Sequence, residues 1–463
     1  VTDAYGRLFG QVLFPAWEGG LRRRPTLQRL KYLEQTQWRS RDELEAVATG
    51  ELRRLLTHAH ASVPHYRKVF DERGFDPRSV RSTADLAKLP VLERDEARET
   101  VKERTSTNGP AIDVHKSTSG TMGKPLVFGY ERSSESWRQA QKLRGYGWAG
   151  YRPGQKSLHF WGAGPPAPKS AKPTLAKRLN KLKIDVDRGL RRERYFDCGV
   201  RGEAQLDAVI DLIKRDPPEV MLCYSQAGAD LARHVIARGA RSWGTIPVIC
   251  GAERLYPTDR KALEEAFGPE VFETYGSREV MLMATECEAH AGLHTSMETL
   301  IVEVVVREDG AVRTAKPGEL GEVLVTDLTN HAMPFIRYAN GDMAVAGPDE
   351  ICACGRALPR LASVEGRVTE TLVDGNGARV NGLVFNVVIA YLAHGIRQFQ
   401  VIQHKDKSVT LRIAPTPAYD AAIEATLRET WQKYLVGIPV KLELVDELPI
   451  SPTGKRQVVV VEK

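Results

Sequence analysis

Over the first hundred residues apolar positions recur at three- and four-residue spacing, at 27–33, 42–58 and 66–72, and this spacing predicts amphipathic helices. Asp42 offers an N-cap ahead of Glu45, and Pro64 separates the last two helices. A loop at 88–91 leads into another polar helix ending near Arg104. From Val114 the texture changes to strand, glycine turn and helix in alternation. Residues 116–119 and 125–130 read as strands around a glycine loop, with a helix over 131–146 behind it. Short apolar strands are predicted at 157–161, 220–224, 247–250 and 271–275, and helices at 203–214, 228–238 and 259–266 separate several of them. This alternation predicts a layered α/β domain with mostly parallel sheet. Residues 298–307 and 321–328 read as strands of a β-rich part.

After Gly366 and Arg367 the pattern restarts as strand, helix, strand, strand, helix, strand, at 371–373, 383–393, 398–404, 408–414, 419–435 and 440–445. A compact α+β unit of about a hundred residues has the usual size of a small domain. The expected organisation is therefore a large α/β domain over 1–366, with 1–105 as a helical accessory part, and a small mobile α+β domain over 367–463.

Composition narrows the function classes. The chain has 463 residues, ample for more than one core. Its formal charge of +7 is dispersed, which suits acidic ligands such as nucleotides and gives no case for a nucleic-acid partner. Residues 169–194 gather ten Lys/Arg against three acids, and this run is read as a solvated loop and helix. No apolar run approaches the ~18 residues of a membrane span, and 11–17 is too short for a signal peptide. A cytoplasmic protein with no membrane partner is expected. Six cysteines in so long a chain do not make a disulfide framework, so they are reduced thiols or metal ligands.

Candidate chemistry centres on Ser-Thr-Ser-Gly-Thr-Met-Gly-Lys-Pro at 117–125. Its two glycines permit close backbone approach, and its hydroxyls and N–H groups suit a phosphate cradle. The glycines are three apart and Pro125 follows Lys124, so it is not the P-loop pattern. Four further phrases follow in order: Cys250-Gly-Ala-Glu253; Glu273-Thr-Tyr-Gly-Ser-Arg-Glu279; Ile336-Arg-Tyr-Ala-Asn-Gly-Asp342 with Gly366-Arg367; and Pro452-Thr-Gly-Lys455. Singly each is commonplace, since an Asp after Asn-Gly is usually a turn residue and a terminal Lys is usually solvated.

Together, and in this order, the five motifs resemble the adenylate-forming superfamily of acyl-CoA synthetases. The wording Ser62-Val-Pro-His-Tyr-Arg67 and Asp85-Leu-Ala-Lys-Leu-Pro90 is similar to the branch of phenylacetate-CoA ligase, a deazaflavin-adenylylating synthetase and CapK-like proteins. The resemblance implies activation of a carboxylic acid, aromatic in that branch, by ATP and Mg²⁺ to an acyl-adenylate, with transfer to CoA. The alternatives are a non-CoA acceptor, adenylyl transfer, or a non-catalytic nucleotide-binding relative; a homodimer is compatible with each.

On that resemblance Ser117, Thr118, Ser119, Gly120, Thr121, Gly123 and Lys124 hold the β- and γ-phosphates, and Gly251, Ala252 and Glu253 border the nucleotide. Tyr275 and Gly276 cover the adenine, Ser277 reaches the α-phosphate and Glu279 holds Mg²⁺. Asp342 accepts from the ribose with Arg367 beside it, and Lys455 is the catalytic cation. Tyr224, Ser225, Gly276 and Met281 border the acid. The chain departs from the pattern at Met122, where a small hydroxyl residue is common, and at Thr369 and Glu370, where an Asp pair marks the pivot of the small domain.

A separate signal is Cys287-x2-His290-x3-His294 with Cys352-x-Cys354 and Gly355. Three thiols and one imidazole would complete a tetrahedral structural zinc site. The shorter spacing favours His290 as the fourth ligand, with His294 as the alternative.

Overall fold

The computed structural model describes residues 3–118, 126–162, 175–198, 202–308, 311–367, 371–376, 379–381, 392, 394–449 and 458–462. After short helical segments at Ala4–Leu8, Phe9–Leu13 and Ala16–Leu21 come α1 (Thr26–Thr36), α2 (Arg41–Ser62) and α3 (Pro64–Glu72). The cap of α2 is Ser40 rather than Asp42: its Oγ accepts from Glu43 N (3.3 Å) and Glu43 Oε2 accepts from Ser40 N (2.9 Å). Leu44, Ala48, Leu52, Leu55, Leu56 and Ala59 fall on one buried stripe. Val63 is extended, as the residue before a proline must usually be, and Pro64 opens α3 at its first position. The polar helix α4 (Arg94–Glu99), the hairpin β1 (Val114–Ser117) and β2 (Val127–Tyr130), and α5 (Arg132–Trp148) follow.

Next come β3 (Ser157–Trp161), α6 (Leu175–Arg191), β4 (Glu193–Asp197), α7 (Glu203–Arg215), β5 (Val220–Tyr224), α8 (Ser225–Ala237), β6 (Val248–Gly251) and α9 (Pro257–Phe267). The expected solvated helix in the basic segment is α6, where Leu179, Leu182, Val186 and Leu190 are exposed. The chain then runs through β7 (Val271–Ser277), β8 (Met281–Glu286), β9 (Leu293–Thr295), β10 (Leu300–Glu308), β11 (Ala311–Thr314), β12 (Leu320–Asp327), β13 (Tyr338–Ala346) and β14 (Arg360–Arg367). Its last part holds β15 (Thr371–Val373), β16 (Arg379–Asn381), β17 (Ile396–Gln403), β18 (Val409–Pro415), α10 (Ala421–Tyr434), β19 (Val440–Leu444) and β20 (Val459–Val461). The helix expected at 383–393 falls almost wholly outside the described residues.

Two compact units result, Val1–Gln155 with Phe272–Val364 and Lys156–Val271 with Glu365–Lys463. In the first, strands follow the order β11-β10-β12-β13-β14-β9-β8-β7. Its pairs β10–β11, β10–β12, β12–β13, β9–β14, β8–β9 and β7–β8 are antiparallel. Phe128, Tyr130, Met283, Val323, Val325, Phe335 and Tyr338 build one core, while α2 and α3 pack Leu52, Leu56, Tyr66 and Phe70 against Met297, Ile301, Leu328 and Ile336 in another.

In the second unit β6-β5-β3-β4 form a parallel sheet. Every residue of β5 and β6 is buried, as expected of strands covered by helices on both faces. Leu206, Val209, Ile210 and Ile213 of α7 and Leu231 and Val235 of α8 supply that cover. The C-terminal stretch of this unit has its own sheet, β19-β18-β17-β20, with Leu427 and Trp431 of α10 in its core. The fold is thus mixed α/β with a separate C-terminal sheet, and among the described residues the parallel strand pairs lie in the second unit, the first unit having a parallel isolated bridge between Leu92 and Tyr338.

Candidate active site and thiol cluster

In the first unit Ser117 ends β1, and Thr118 is buried with its N–H on Leu126 O (3.0 Å) and its Oγ1 accepting from Leu126 N (3.0 Å). These bonds close the neck of the glycine loop. Ser119, Gly120, Thr121, Gly123 and Lys124 lie outside the described residues, as does Met122.

The turn from β7 to β8 is tight. A Cβ on Gly276 would stand 2.2 Å from the Met281 carbonyl oxygen, and Met281 itself takes φ +64, so only glycine fits opposite it. A register shift between Tyr275 and Gly276 marks a bulge, which re-aims the side chains around it. Tyr275 is buried and its Oη donates to Asp342 Oδ2 (2.9 Å). Asn340 Nδ2 donates both to Tyr275 Oη (2.8 Å) and to Asp342 Oδ2 (2.9 Å), and Asn340 Oδ1 accepts from Asp342 N (3.0 Å). Two residues, Tyr275 and Asn340, thereby fix one buried carboxylate.

Glu279 is held in the same manner. Its Oε1 accepts from Tyr338 Oη (3.1 Å) and lies 3.6 Å from Arg94 Nη1, while its backbone oxygen accepts from Arg138 Nη1 (2.8 Å). Burial, with the Glu279 charge beside it, raises the Tyr338 phenol well above its ordinary value, so it stays a donor. Arg138 is itself buried, stacks over the Tyr130 ring at 4.3 Å and pairs with Asp327 at 2.5 Å. Ser277 Oγ is buried with no hydrogen-bond partner among the described residues. An orphaned hydroxyl on the turn between Tyr275 and Glu279 suits a polar ligand.

In the second unit Tyr224 and Gly251 are paired at the carboxyl ends of parallel strands, where open α/β sheets bind ligands. Ser225 Oγ donates to Glu253 O (2.8 Å), and Glu253 Oε2 accepts from Gln226 N (3.2 Å), which places its charge at the start of α8. Ala252 is exposed with φ +64. Tyr224 meets the Trp161 ring edge-on at 4.7 Å. Glu365 pairs with Arg254 at 2.5 Å just before Gly366, and Arg367 ends β14. Thr369, Glu370 and Lys455 lie outside the described residues.

Four of the metal-ligating candidates converge. One ligand atom from each of Cys287, His294, Cys352 and Cys354 lies within 4.8 Å of all the others. The group contains His294 and not the preferred His290, whose Nδ1 sits 3.2 Å from Glu286 Oε1. His294 lies on β9, and its Nδ1 donates to Leu358 O (3.2 Å), leaving Nε2 on the Cys354 side. Burial, against that carbonyl, holds the imidazole down to about 4, so it is a neutral donor. Burial and the neighbouring thiols push the Cys287 thiol up to about 12. At Cys354 burial acts upward, but hydrogen bonds from Arg356, Cys352 and Cys287 together outweigh it and the net direction is down.

Arg138, Asp327 and Arg94 were not singled out by sequence, and Tyr338 stood inside a quoted motif without a role. Asn340 stood inside a quoted motif, and only its place between Tyr275 and Asp342 gives it a role.

Residues 372–462 match the family of the CapK C-terminal domain. Phenylacetate-coenzyme A ligase of Thermus thermophilus is 26% identical over 373 residues, 79% of this chain and 79% of that protein. The Escherichia coli protein of the same name is 29% identical over 343 residues, 72% and 73% of the two chains. The resemblance to the phenylacetate-CoA ligase branch is borne out. 2-Hydroxyisobutyryl-CoA ligase in its postadenylation state has the same fold, with TM-score 0.69 at 18% identity over 92% of this chain and 91% of that one. Its thioesterification state gives TM-score 0.58 at 20% identity, over the same shares.

Proposed function

We propose that the chain is an AMP-forming acid–CoA ligase, which activates a carboxylic acid with ATP, releases pyrophosphate and passes the acyl group to CoA. The observation that carries this reading is the pair of buried, pre-oriented carboxylates, Asp342 and Glu279, with the Ser277 hydroxyl, which has no partner among the described residues, on the same turn as Glu279. Attack of the acid's carboxylate oxygen on the α-phosphorus forms the mixed anhydride and breaks the bond to pyrophosphate. Catalysis of that step is largely positioning and neutralisation of phosphate charge.

In this reading Asp342 accepts from the ribose hydroxyls, and Tyr275 and Asn340 keep it aimed. Glu279 is the protein ligand of Mg²⁺, which would neutralise charge on the phosphates; a buried carboxylate steadied by a phenol and an arginine fits an oxygen-seeking ion. Ser117, Thr118 and the loop through Lys124 take the terminal phosphates. Lys455 supplies the point charge to the reacting carboxylate and α-phosphate. Tyr224, Ser225, Gly276 and Met281 border the acid, and the aromatic pair Trp161–Tyr224 favours an aryl substituent. The remaining expected cofactor, zinc, belongs at the thiol cluster and takes no part in the transfer.

A second reading keeps the adenylation step and replaces CoA by another acceptor. It is favoured by Thr369 and Glu370 standing in place of the Asp pair at the pivot. Pyrophosphate release across a panel of carboxylic acids, with and without CoA, tests both. Acid-dependent release with thiol consumed in proportion to AMP is the expected result; release that ignores CoA selects the second reading, and no release with any acid refutes both.

A further inference from the structure

We propose that Cys287, His294, Cys352 and Cys354 bind one Zn²⁺ in a closed structural centre, and that this ion, through Arg356, docks the α1–α2 corner against the cluster within the first unit. The proposal stands independently of the chemistry at Glu279 and Asp342.

The distances are those of a tetrahedron. Zn–S bonds of about 2.3 Å and a Zn–N bond of about 2.05 Å give edges of about 3.8 Å between sulfurs and about 3.6 Å between sulfur and nitrogen. Cys287 Sγ and Cys352 Sγ are 3.8 Å apart, and Cys354 Sγ is 3.5 Å from His294 Nε2. Three thiols and an imidazole are soft donors that select zinc over oxygen-seeking ions. Four protein donors fill the tetrahedron, which is the mark of a structural rather than a catalytic ion.

The backbone is shaped for the purpose. Gly355, at φ +85, donates its N–H to Cys352 O (2.8 Å), closing a knuckle that points both cysteines one way. On the other strand His290 N donates to Cys287 O (3.0 Å), and Gly292, at φ +93, would meet Leu361 O at 2.5 Å with a Cβ. That tight turn carries the chain from Cys287 back to His294.

Arg356 links the cluster to the helices. Two residues beyond Cys354, its guanidinium lies between the rings of Trp38 (4.6 Å) and Trp148 (4.7 Å). Its Nε donates to Gln37 Oε1 (3.1 Å), and its Nη1 to both oxygens of Glu288 (2.9 Å each). Gln37 Oε1 also accepts from Trp148 Nε1 (2.8 Å), and the Trp148 ring meets the His294 ring edge-on at 5.7 Å. Gln37 caps α1, and Trp38 precedes the Ser40 cap of α2. The knuckle thus places a cation at that corner, beside Arg144, whose Nη1 donates to Leu33 O (3.1 Å) and whose guanidinium lies over the Trp148 ring.

The test begins with metal content of the purified chain after exhaustive dialysis, with about one zinc per chain expected. Replacement by Co²⁺ should give thiolate charge-transfer bands and a tetrahedral ligand-field spectrum. Cys352→Ser and His294→Ala should lose the ion, whereas His290→Ala should keep it. Hydrogen exchange should then speed up about tenfold at amides of residues 37–44 in zinc-stripped wild-type protein. Arg356→Gln should reproduce that acceleration with zinc still bound, which a metal acting only locally would not give. His294→Cys, which retains four donors, should keep both zinc and slow exchange if the other variants fail to fold. Metal-free protein that takes up no added Zn²⁺ under reducing conditions overturns the site, as does loss of zinc in His290→Ala. Unchanged exchange at 37–44 after zinc removal overturns the docking role alone.

Discussion

Tyr275→Phe isolates one hydrogen bond in the proposed ribose site. The ring and its volume remain, so no cavity opens. What goes is the phenol that donates to Asp342 Oδ2 at 2.9 Å and accepts from Asn340 Nδ2 at 2.8 Å. Asn340 Nδ2 still reaches Asp342 Oδ2 at 2.9 Å, so its amide is not stranded. The loss is one bond to a charged acceptor, about 1.5–3 kcal/mol. If Asp342 holds the ribose, most of that loss appears as weaker nucleotide binding, and at ~1.4 kcal/mol per decade the KM for ATP should rise about ten- to hundredfold. The ribose is held alike in ground and transition states, so kcat should stay within about threefold. Steady-state pyrophosphate release at saturating acid, with ATP varied, gives both constants, and a thermal melt reports what the fold itself loses. A lowered melting point with KM unchanged would mean that the triad only braces the sheet. A fall in kcat with KM unchanged would place Tyr275 against the reacting phosphate instead. The double variant with Asn340→Ala should lose less than the sum of the single variants, because both act on one carboxylate.

Lys455→Ala should abolish acid-dependent pyrophosphate release while leaving ATP binding, followed by calorimetry, nearly intact; undiminished adenylation would remove the lysine from the chemistry. Thr369→Pro, which fixes φ and removes an N–H, should keep acyl-adenylate formation within about tenfold yet cripple transfer to the acceptor. Equal loss of both half-reactions would show that no pivot operates there. Glu298→Gln leaves the Arg144 guanidinium, whose Nη1 lies 2.6 Å from Glu298 and whose side chain is 1% exposed, without its counter-charge. Unfolding by urea should register a loss of about 3–5 kcal/mol, and a change under about 1 kcal/mol would contradict the buried pairing.

Local pattern made most of the elements legible. The strands expected at 157–161 and 220–224 are β3 and β5 residue for residue, and α7 exceeds its expected span by one residue at its end. Such segments carry their own signal in apolar runs and helical spacing. The cap of α2 was misplaced because Asp42 and Ser40 are both good caps on composition, and only the reciprocal bond to Glu43 chooses between them. His290 was preferred for a spacing rule, whereas the choice lies with β9, which carries His294 towards the knuckle at 352–355. Arg138 left no trace in the sequence, since its partners are Asp327, 189 positions away, and the backbone of Glu279, 141 positions away. The glycine loop beyond Thr118, the pivot and Lys455 rest on the motifs alone.

Arg144 also bears on how the chain is made. Its counter-charge, Glu298, comes 154 residues later, and Arg138 waits still longer for Asp327. At a synthesis rate of about 5–20 residues per second, α5 emerges roughly 8–30 s before the carboxylate that neutralises its most buried cation exists. Through that interval the helix cannot settle into its final site, because the guanidinium would be stripped of water with nothing opposite it. The first unit therefore has a built-in order of assembly. Its amino-terminal helices must stay loosely associated, and open to chaperones, until the strand that follows Glu298 leaves the ribosome.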